Sequence, residues 1–223
     1  MDRVAVFARY PMIGEVKTRL SPALPPALAV ELHAAMVADA LECAGEAGFG
    51  PPVLYWASEP ADPVGFAVRR GLETRFQRGA DLGERLSAAF AELLSSPGDR
   101  AVVIGTDCPD LTPDLIRGAF AALARHDVVL GPAHDGGYYL IGLRRHVPEL
   151  FRGIVWGTET VLARTLDRAR EAGVEVATPG PLGDIDTPED LVRFVARRSV
   201  SPAGPGAATE SALRGMGLLP PRA

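Results

Sequence analysis

The chain has few cysteines, no long apolar run and no excess of positive charge, and each absence excludes a class of protein. With only Cys43 and Cys108 among 223 residues, it holds neither a disulfide framework nor a Cys-x-x-Cys motif. No apolar stretch is long enough to cross a bilayer. The net charge of -5 does not suit nucleic-acid binding, which needs a basic face. We therefore expect a globular protein with neither a nucleic-acid nor a membrane partner.

Two common nucleotide-binding signatures are also missing. No Gly-x-Gly-x-x-Gly follows any predicted strand, which argues against a nicotinamide-dependent dehydrogenase. Lys17-Thr18 invites comparison with a P-loop, but Val16 and Pro11 stand where that motif requires glycine. The first strand begins almost at once, with no signal-peptide apolar region before it, so we expect a cytoplasmic location.

What the sequence does contain is an alternation of apolar runs and helical patterns. Residues 4–8, 53–57 and 101–104 are typical of short buried strands, and helical spacing follows most such runs. This alternation predicts an α/β fold with a mostly parallel, Rossmann-like sheet and helices on both faces. We expect one domain over residues 1–198, with a short helix at residues 63–71. A flexible tail rich in proline and glycine is expected over residues 199–223, with one turn of helix as an alternative for residues 211–219.

The functional prediction centres on the strand at residues 101–104 and the acidic turn after it. Gly105 and Thr106 end the apolar run, and Asp107 stands just past the carboxyl end of the strand. Ligands of open α/β sheets bind in the crevice beyond these ends, so Asp107 is a candidate metal or substrate ligand. The alternative is that Asp107 only caps the turn before the next helix, since Asp is common in turns.

A second acidic turn, at Asp186, also precedes a capped helix. If both turns lie at one end of the sheet, the carboxylates of Asp107 and Asp186 face one crevice, where a cation would relieve their repulsion. Oxygen ligands without a His or Cys cluster suit Mg²⁺ or Mn²⁺. Lys17 and Arg19 follow the first strand, where α/β nucleotide-binding proteins hold phosphates, although loop cations are often merely solvated. Together these groups suit phosphoryl or glycosyl transfer.

Two glycine-containing turns are further candidates. Gln77 ends a short strand and is followed by Gly79 and Gly83, an arrangement that can read a nucleobase edge or can be a plain turn before a helix. Gly136-Gly137 allows the backbone to approach a ligand, or makes an ordinary hairpin turn. His33 has no partner in sequence, and we interpret it as a surface or packing residue.

In combination, these segments resemble a known superfamily. The matching stretches are FARYPMIGEVKTRLSP, QRGADLGERL, VIGTDCPDL, GPAHDGGYYLIGL, VWGTETVL and DIDTPEDL. From Val4 to about Arg198 the chain resembles the nucleotide-diphospho-sugar transferase (GT-A) superfamily, and more closely the glycosyltransferase-like DUF2064 group of bacteria. Related patterns occur in 2-phospholactate guanylyltransferase and in the molybdenum-cofactor nucleotidyltransferases.

The resemblance implies a metal-dependent transferase that uses a nucleotide or nucleotide-sugar and a small-molecule acceptor, with Mg²⁺ or Mn²⁺ as cofactor. The alternatives are a nucleotidyltransferase that releases pyrophosphate, or a non-catalytic nucleotide-binding module. The implied catalytic residues are Lys17, Asp107 and Asp135, and the implied metal ligands are Asp107 and Asp186. The implied nucleotide-binding residues are Phe7, Ala8, Arg9, Lys17, Arg19, Gln77, Gly79, Asp81 and Gly83. The implied acceptor or sugar pocket contains Asp135, Gly136, Gly137 and Trp156.

One segment departs from the related nucleotidyltransferases. Those enzymes carry a Gly-Gly signature loop after the first strand, where this chain has Ala8-Arg9-Tyr10-Pro11. Transfer of a glycosyl group and transfer of a nucleotidyl group therefore both stay open, and the sequence does not indicate the base, the acceptor or the oligomeric state.

Overall fold

The computed structural model describes residues 1–58, 71–201 and 204–221. The described strands are β1 (Asp2–Ala8), β2 (Val53–Trp56), β3 (Glu73–Phe76), β4 (Arg100–Ile104), β5 (Val128–Pro132), β6 (Tyr138–Leu143) and β7 (Val176–Ala177). The described α-helices are α1 (Pro26–Glu46), α2 (Leu82–Leu93), α3 (Pro113–Ala122), α4 (Val161–Glu171), α5 (Pro188–Val200) and α6 (Ala207–Gly215). Short 3₁₀ turns cover Thr18–Leu20 and Pro148–Phe151. The helix predicted near residues 63–71 lies, except for Gly71, outside the described residues.

The strands form one sheet in the order β3-β2-β1-β4-β6-β5-β7. Neighbouring strands are parallel except where β6 is involved, because β6 runs antiparallel to both β4 and β5. The short turn from β5 to β6 explains the exception, since a parallel connection needs a crossover of a dozen or more residues. The predicted α/β fold with a mostly parallel sheet is confirmed, and the Gly136-Gly137 turn is a hairpin turn.

This topology gathers the loops that carry the predicted site at one rim of the sheet. The carboxyl ends of β1 and β4 are level, with Val6 beside Ile104, and the start of antiparallel β6 lies beside them, with Ile104 opposite Leu140. The loops at residues 9–20, 105–112, 133–137 and 178–187 all leave or enter strands at this rim. The fold therefore supplies the shared crevice that the sequence predicted.

Helices cover both faces of the sheet, as strand alternation dictates. On β1, Val4 and Val6 pack against α1 and α3 on one face, whereas Ala5 and Phe7 pack toward α2 on the other. A third buried cluster lies outside the sheet and joins the ends of the rim loops to α1, α5 and α6. Its members include Leu20, Leu32, Ile185, Phe194 and Leu213. Within the described ranges, no helix has the length and apolar character needed to span a membrane.

The C-terminal segment differs from the flexible tail that its composition predicts. Helix α5 continues to Val200, past the predicted boundary, and α6 packs against α1. The Asp39 carboxylate on α1 accepts hydrogen bonds from the backbone N–H groups of Ala208 and Thr209, both at 2.8 Å, and so caps α6. Leu213 is fully buried. A loosely held tail is therefore the wrong description of α6, because this helix has a cap and an apolar face to bury.

Candidate active site

The two acidic turns meet across the side chain of Lys17. Its Nζ donates to Asp107 Oδ1 at 2.5 Å and to the Ile185 carbonyl oxygen at 2.5 Å, and it lies 3.7 Å from Asp186 Oδ1. The backbones are joined as well, because the Ile185 N–H donates to the Asp107 carbonyl at 2.9 Å. Asp107 and Asp186 therefore share one crevice, as the sequence predicted, while their role as metal ligands stays a prediction. The helix that follows Asp107 is capped by Thr112 and not by Asp107.

Lys17 is held in an unusual backbone conformation. Its φ of 51° is in the left-handed region, and among the described residues no other non-glycine residue has a positive φ. Such a conformation costs a residue with a Cβ roughly 1–2 kcal/mol. The Lys17 side chain is only 3% exposed, and a buried charge is stable only when it is paired and hydrogen-bonded. The strained backbone at Lys17 therefore places its ammonium group between the two acidic turns.

The charged side chains around the Lys17 ammonium are themselves partly exposed to solvent. Arg19 Nη1 donates to Asp186 Oδ2 at 3.0 Å while its side chain stays 69% exposed. The side chains of Asp107 and Asp186 are 52% and 38% exposed. Partial desolvation acts to raise the pKa of Asp107, but the charge and hydrogen bond of Lys17 outweigh it and hold that pKa below its ordinary value. Asp107 is thus a carboxylate at neutral pH with oxygen lone pairs facing solvent.

A further pair of carboxylates stands nearby. Burial, followed by the charge of Asp135, raises the pKa of Asp184 to about 6. Asp135 Oδ1 accepts from the Gly137 N–H at 2.8 Å, which fixes the turn. Asp184 was not among the predicted site residues, although its place two residues before Asp186, across the buried Ile185, was a signal that both acids border the same crevice.

The turn after β3 is built largely on internal hydrogen bonds. Gln77 Nε2 donates to the Tyr55 carbonyl at 3.1 Å, which leaves the amide oxygen and the second N–H of Nε2 available to a ligand. Asp81 is the N-cap of α2, since its Oδ1 accepts from the Glu84 N–H at 2.8 Å. Gly79 has φ +142°, and a Cβ there would lie 2.5 Å from Glu84 Cβ. The contact of this turn with a nucleobase stays a prediction.

Gly83, predicted to bind the nucleotide, and Gly136, predicted to line the acceptor pocket, both pack closely against protein. A Cβ on Gly83 would lie 2.8 Å from Cζ2 of the Trp156 indole ring. A Cβ on Gly136, whose φ is +87°, would lie 2.1 Å from the Glu159 carbonyl oxygen. The segment around Trp156 therefore packs closely against the turn at Gly136 and against the start of α2. The structure brings the predicted residues together, and their contact with an acceptor stays a prediction.

His33 is a buried residue at the edge of the site whose connection the sequence concealed. Its side chain, on α1, lies against the first rim loop, and Nε2 is 2.9 Å from the Arg9 carbonyl oxygen. Because a carbonyl only accepts, Nε2 carries the hydrogen, and Nδ1 has no hydrogen-bond partner among the described residues. Burial is the main cause that lowers the pKa of His33. The sequence interpretation as a packing residue omitted this link to the loop.

The site suits a metal that takes most of its ligands from a substrate. Within the part of the chain that the structure describes, no three His, Cys, Asp or Glu side chains are grouped to hold an ion by themselves. Mg²⁺, however, is commonly bound through one or two carboxylates plus substrate phosphates. Asp107 and Asp186 are both oxygen donors with exposed carboxylates, so they fit that mode.

Comparison with known proteins places this chain among bacterial and archaeal relatives. Residues 40–158 match the family described as uncharacterized protein conserved in bacteria, DUF2064. The chain is 30% identical, over 81% of its length and 84% of the relative's, to the 3-phospho-D-glycerate guanylyltransferase of Phenylobacterium zucineum. It is 35% identical, over 52% of its length, to the 2-phospho-L-lactate guanylyltransferase of Methanopyrus kandleri, of which the match spans only 62%.

Solved structures give the same picture of the fold. A protein of Desulfovibrio desulfuricans G20, provisionally classed as a nucleotide-diphospho-sugar transferase, is 31% identical and covers 96% of both chains with a TM-score of 0.85. A CMP-2-keto-3-deoxy-manno-octonic acid synthetase in complex with CTP shares 13% identity and a TM-score of 0.55, over 89% of this chain and 98% of its own. The second likeness concerns the fold alone. The named relatives agree with the predicted class of enzyme, a glycosyltransferase or nucleotidyltransferase.

Proposed function

Since the chain belongs to the DUF2064 family of bacterial proteins, we propose that it is a nucleotidyltransferase. It joins the nucleotidyl group of a nucleoside triphosphate, GTP in the first instance, to a small phosphorylated hydroxy acid and releases pyrophosphate. The observation that carries the proposal is the solvent-facing carboxylate pair of Asp107 and Asp186 beside the exposed Arg19. The two guanylyltransferase relatives favour nucleotidyl over glycosyl transfer.

The proposed chemistry is a displacement at phosphorus. An oxygen of the acceptor's phosphate attacks the α-phosphorus of the triphosphate, the bond from the α-phosphorus to the bridging oxygen breaks, and pyrophosphate leaves with that electron pair. A new phosphoanhydride bond forms, so no oxidant or reductant is needed. Negative charge grows on the leaving diphosphate, and fixed cations stabilise such charge.

Two arginines are suited to hold that leaving group. Arg19 is 69% exposed and uses Nη1 toward Asp186, which leaves its other N–H donors for phosphate oxygens. Arg9 is also exposed, and its Nη1 makes only a long contact of 3.5 Å with the Glu15 carbonyl. Both lie on the loop after β1, at the rim where the carboxylates meet. We expect this loop to bind the β- and γ-phosphates.

The carboxylates give the site its proposed metal. Asp107 and Asp186 would hold Mg²⁺ or Mn²⁺ through their exposed oxygens. When bound, such an ion neutralises phosphate charge and orients the triphosphate for in-line attack. In the same proposal the Gln77 turn faces the base, and the acceptor lies near Asp135 and Trp156.

The proposal is tested by separating the possible products. Purified protein is incubated with each nucleoside triphosphate, with Mg²⁺ or Mn²⁺, and with 3-phosphoglycerate, 2-phospholactate or a sugar phosphate, and pyrophosphate is measured. We expect release that requires both GTP and a phosphorylated acid. Pyrophosphate in none of the mixtures, from a protein that consumes a nucleotide-sugar in parallel reactions, would contradict the proposal.

Glycosyl transfer is the second candidate. It is favoured by the Ala8-Arg9-Tyr10-Pro11 segment, which replaces the Gly-Gly loop typical of nucleotidyltransferases, and by the similarity to the Desulfovibrio desulfuricans structure. In that case the protein releases a nucleoside diphosphate from a nucleotide-sugar, and no pyrophosphate forms.

A further inference from the structure

We propose that Lys17 is a positioning residue whose ammonium acts as an internal cation for the Asp107–Asp186 pair, and that it does not contact the nucleotide. The phosphate contacts of this loop then come from Arg9 and Arg19. The phosphate part of this inference rests on the proposed function, whereas the part concerning the carboxylates does not.

The N–H donors of Lys17 are already directed at protein groups. The ammonium carries three N–H groups. Two make hydrogen bonds at 2.5 Å, to Asp107 Oδ1 and to the Ile185 carbonyl, and Asp186 Oδ1 lies 3.7 Å away. With the side chain only 3% exposed, a phosphate could reach Nζ only if one of these groups moved aside.

The surrounding residues also fix Lys17 in place. Val16 before it and Leu20 after it are buried, and the Leu20 N–H donates to the Lys17 carbonyl at 2.9 Å. The left-handed φ of Lys17 persists because these contacts determine it. The side chain of Arg19 differs, since it is 69% exposed and uses only Nη1, toward Asp186 Oδ2 at 3.0 Å.

The positive charge of Lys17 also opposes the binding of a divalent ion. Lys17 lies against the carboxylates that would hold a divalent ion, so the ammonium and the ion repel each other and compete for Asp107 Oδ1. Removal of the ammonium should therefore strengthen metal binding to the free protein. A lysine whose task is to bind phosphate predicts a different result, namely weaker nucleotide binding.

The experiment compares Lys17→Met with Arg19→Met, which removes a similar charge from the same loop. Mn²⁺ binding to nucleotide-free protein is measured by electron paramagnetic resonance, and GTP binding is measured by calorimetry in EDTA. We expect Lys17→Met to bind Mn²⁺ at least about 10-fold more tightly than wild type and GTP within about 2-fold of wild type. We expect Arg19→Met to lose about 5-fold or more in GTP affinity.

The inference is overturned if Lys17→Met weakens GTP binding as much as Arg19→Met does, or if its Mn²⁺ affinity is unchanged or lower, including the case in which neither protein binds the ion. If wild type binds no nucleotide at all, the proposed function fails, and the Mn²⁺ comparison alone decides the role of Lys17.

A second variant covers the case in which Lys17→Met does not fold. The double variant Lys17→Met/Asp107→Asn removes both charges of the pair, so it should recover most of the thermal stability that the single variant loses. A double variant no more stable than Lys17→Met would contradict the pairing.

Discussion

Two clusters of charged side chains, one at the rim and one at the C-terminus, use the same chemical groups in opposite ways. In the C-terminal cluster, Glu210 is fully buried, with Oε2 at 2.7 Å from Arg214 Nη2 and Oε1 at 3.5 Å from Arg198 Nε. Arg198, only 6% exposed, also contacts Asp110 Oδ1 at 2.6 Å. The rim cluster consists of Lys17, Arg19, Asp107 and Asp186. By contrast, its Asp107 and Arg19 side chains are 52% and 69% exposed.

The comparison shows that ion pairing alone does not mark a functional site. The C-terminal cluster directs its charges inward and joins α5 and α6 to the turn after β4, so we expect substitutions there to change stability. The rim cluster buries only Lys17 and leaves carboxylate and guanidinium groups toward solvent. Substitutions there should change activity.

The largest expected effect is on turnover in the variant Asp107→Asn. The amide oxygen can still accept from Lys17 but cannot supply negative charge to a metal. We expect a loss of about 10³-fold or more in kcat, equivalent to about 4 kcal/mol, and a smaller loss of stability than Glu210→Gln causes, because Lys17 keeps the Ile185 carbonyl at 2.5 Å and Asp186 at 3.7 Å. Steady-state pyrophosphate assays and thermal unfolding measure the two quantities. A variant that keeps its activity, or one that is unfolded, would contradict the expectation that rim substitutions act on activity and C-terminal substitutions on stability.

Glu210→Gln should show the opposite behaviour. It leaves the buried Arg198 and the partly exposed Arg214 without their shared carboxylate, and breaking a buried ion pair typically costs about 3–5 kcal/mol. Urea unfolding measures the loss, and kcat of the folded fraction should stay close to wild type. Asp114→Asn is the control, because its ion pair with Arg117 is exposed and is worth less than about 1 kcal/mol. Equal losses in unfolding free energy in the two variants would contradict the stabilising role of the buried Glu210 ion pairs.

A smaller effect is expected from glycine substitutions, which show how firmly the rim turns are packed. Gly136 and Gly157 both have positive φ, of 87° and 77°, but only at Gly136 would a Cβ meet the Glu159 carbonyl, at 2.1 Å. Both alanine variants should therefore lose roughly 1–2 kcal/mol from backbone strain, and Gly136→Ala should lose about 1–3 kcal/mol more from overpacking. Chemical unfolding of the pair is the measurement, and equal losses would contradict the packing described for this turn.

The smallest expected effect is a pH dependence at His33. Because the pKa of His33 is lower in the folded protein, the unfolded chain takes up the proton first as the pH falls through about 6.5. Wild type should lose stability below that pH relative to His33→Gln, which keeps a donor for the Arg9 carbonyl and does not titrate.

The groups whose charges act on His33 are Asp107, Lys17 and Arg9. We expect the difference in melting temperature between the two proteins to change by about 1–3 °C from pH 7.5 to pH 5.5. A difference in melting temperature that does not vary with pH would show that burial does not lower the pKa of His33.

The sequence was sufficient to predict the sheet and the meeting of Asp107 with Asp186, because both rest on local rules. Each residue follows the carboxyl end of a strand or precedes a capped helix, and parallel strands bring such turns to one rim. The structure confirms the predicted capped helix after Asp186, with Thr187 as its N-cap in a reciprocal pair of hydrogen bonds with Asp190.

The remaining features depend on contacts between distant parts of the chain. Enclosure of Lys17 requires groups 90 and 168 positions away, and nothing near Lys17 indicates them. Helix α6 is concealed by its proline- and glycine-rich surroundings, because its cap is Asp39 on a distant helix. The link from His33 to the Arg9 carbonyl has no sequence signal either, since a backbone acceptor leaves no trace in residue type.

The measurement that tests the central claim most directly is the mass of the product formed from GTP and 3-phosphoglycerate in the presence of Mn²⁺. We predict a guanylylated acid, joined through a phosphoanhydride bond and accompanied by one equivalent of pyrophosphate, from wild type but not from Asp107→Asn. Unchanged substrates, in a preparation that transfers sugar from a nucleotide-sugar with release of a nucleoside diphosphate, would contradict the account.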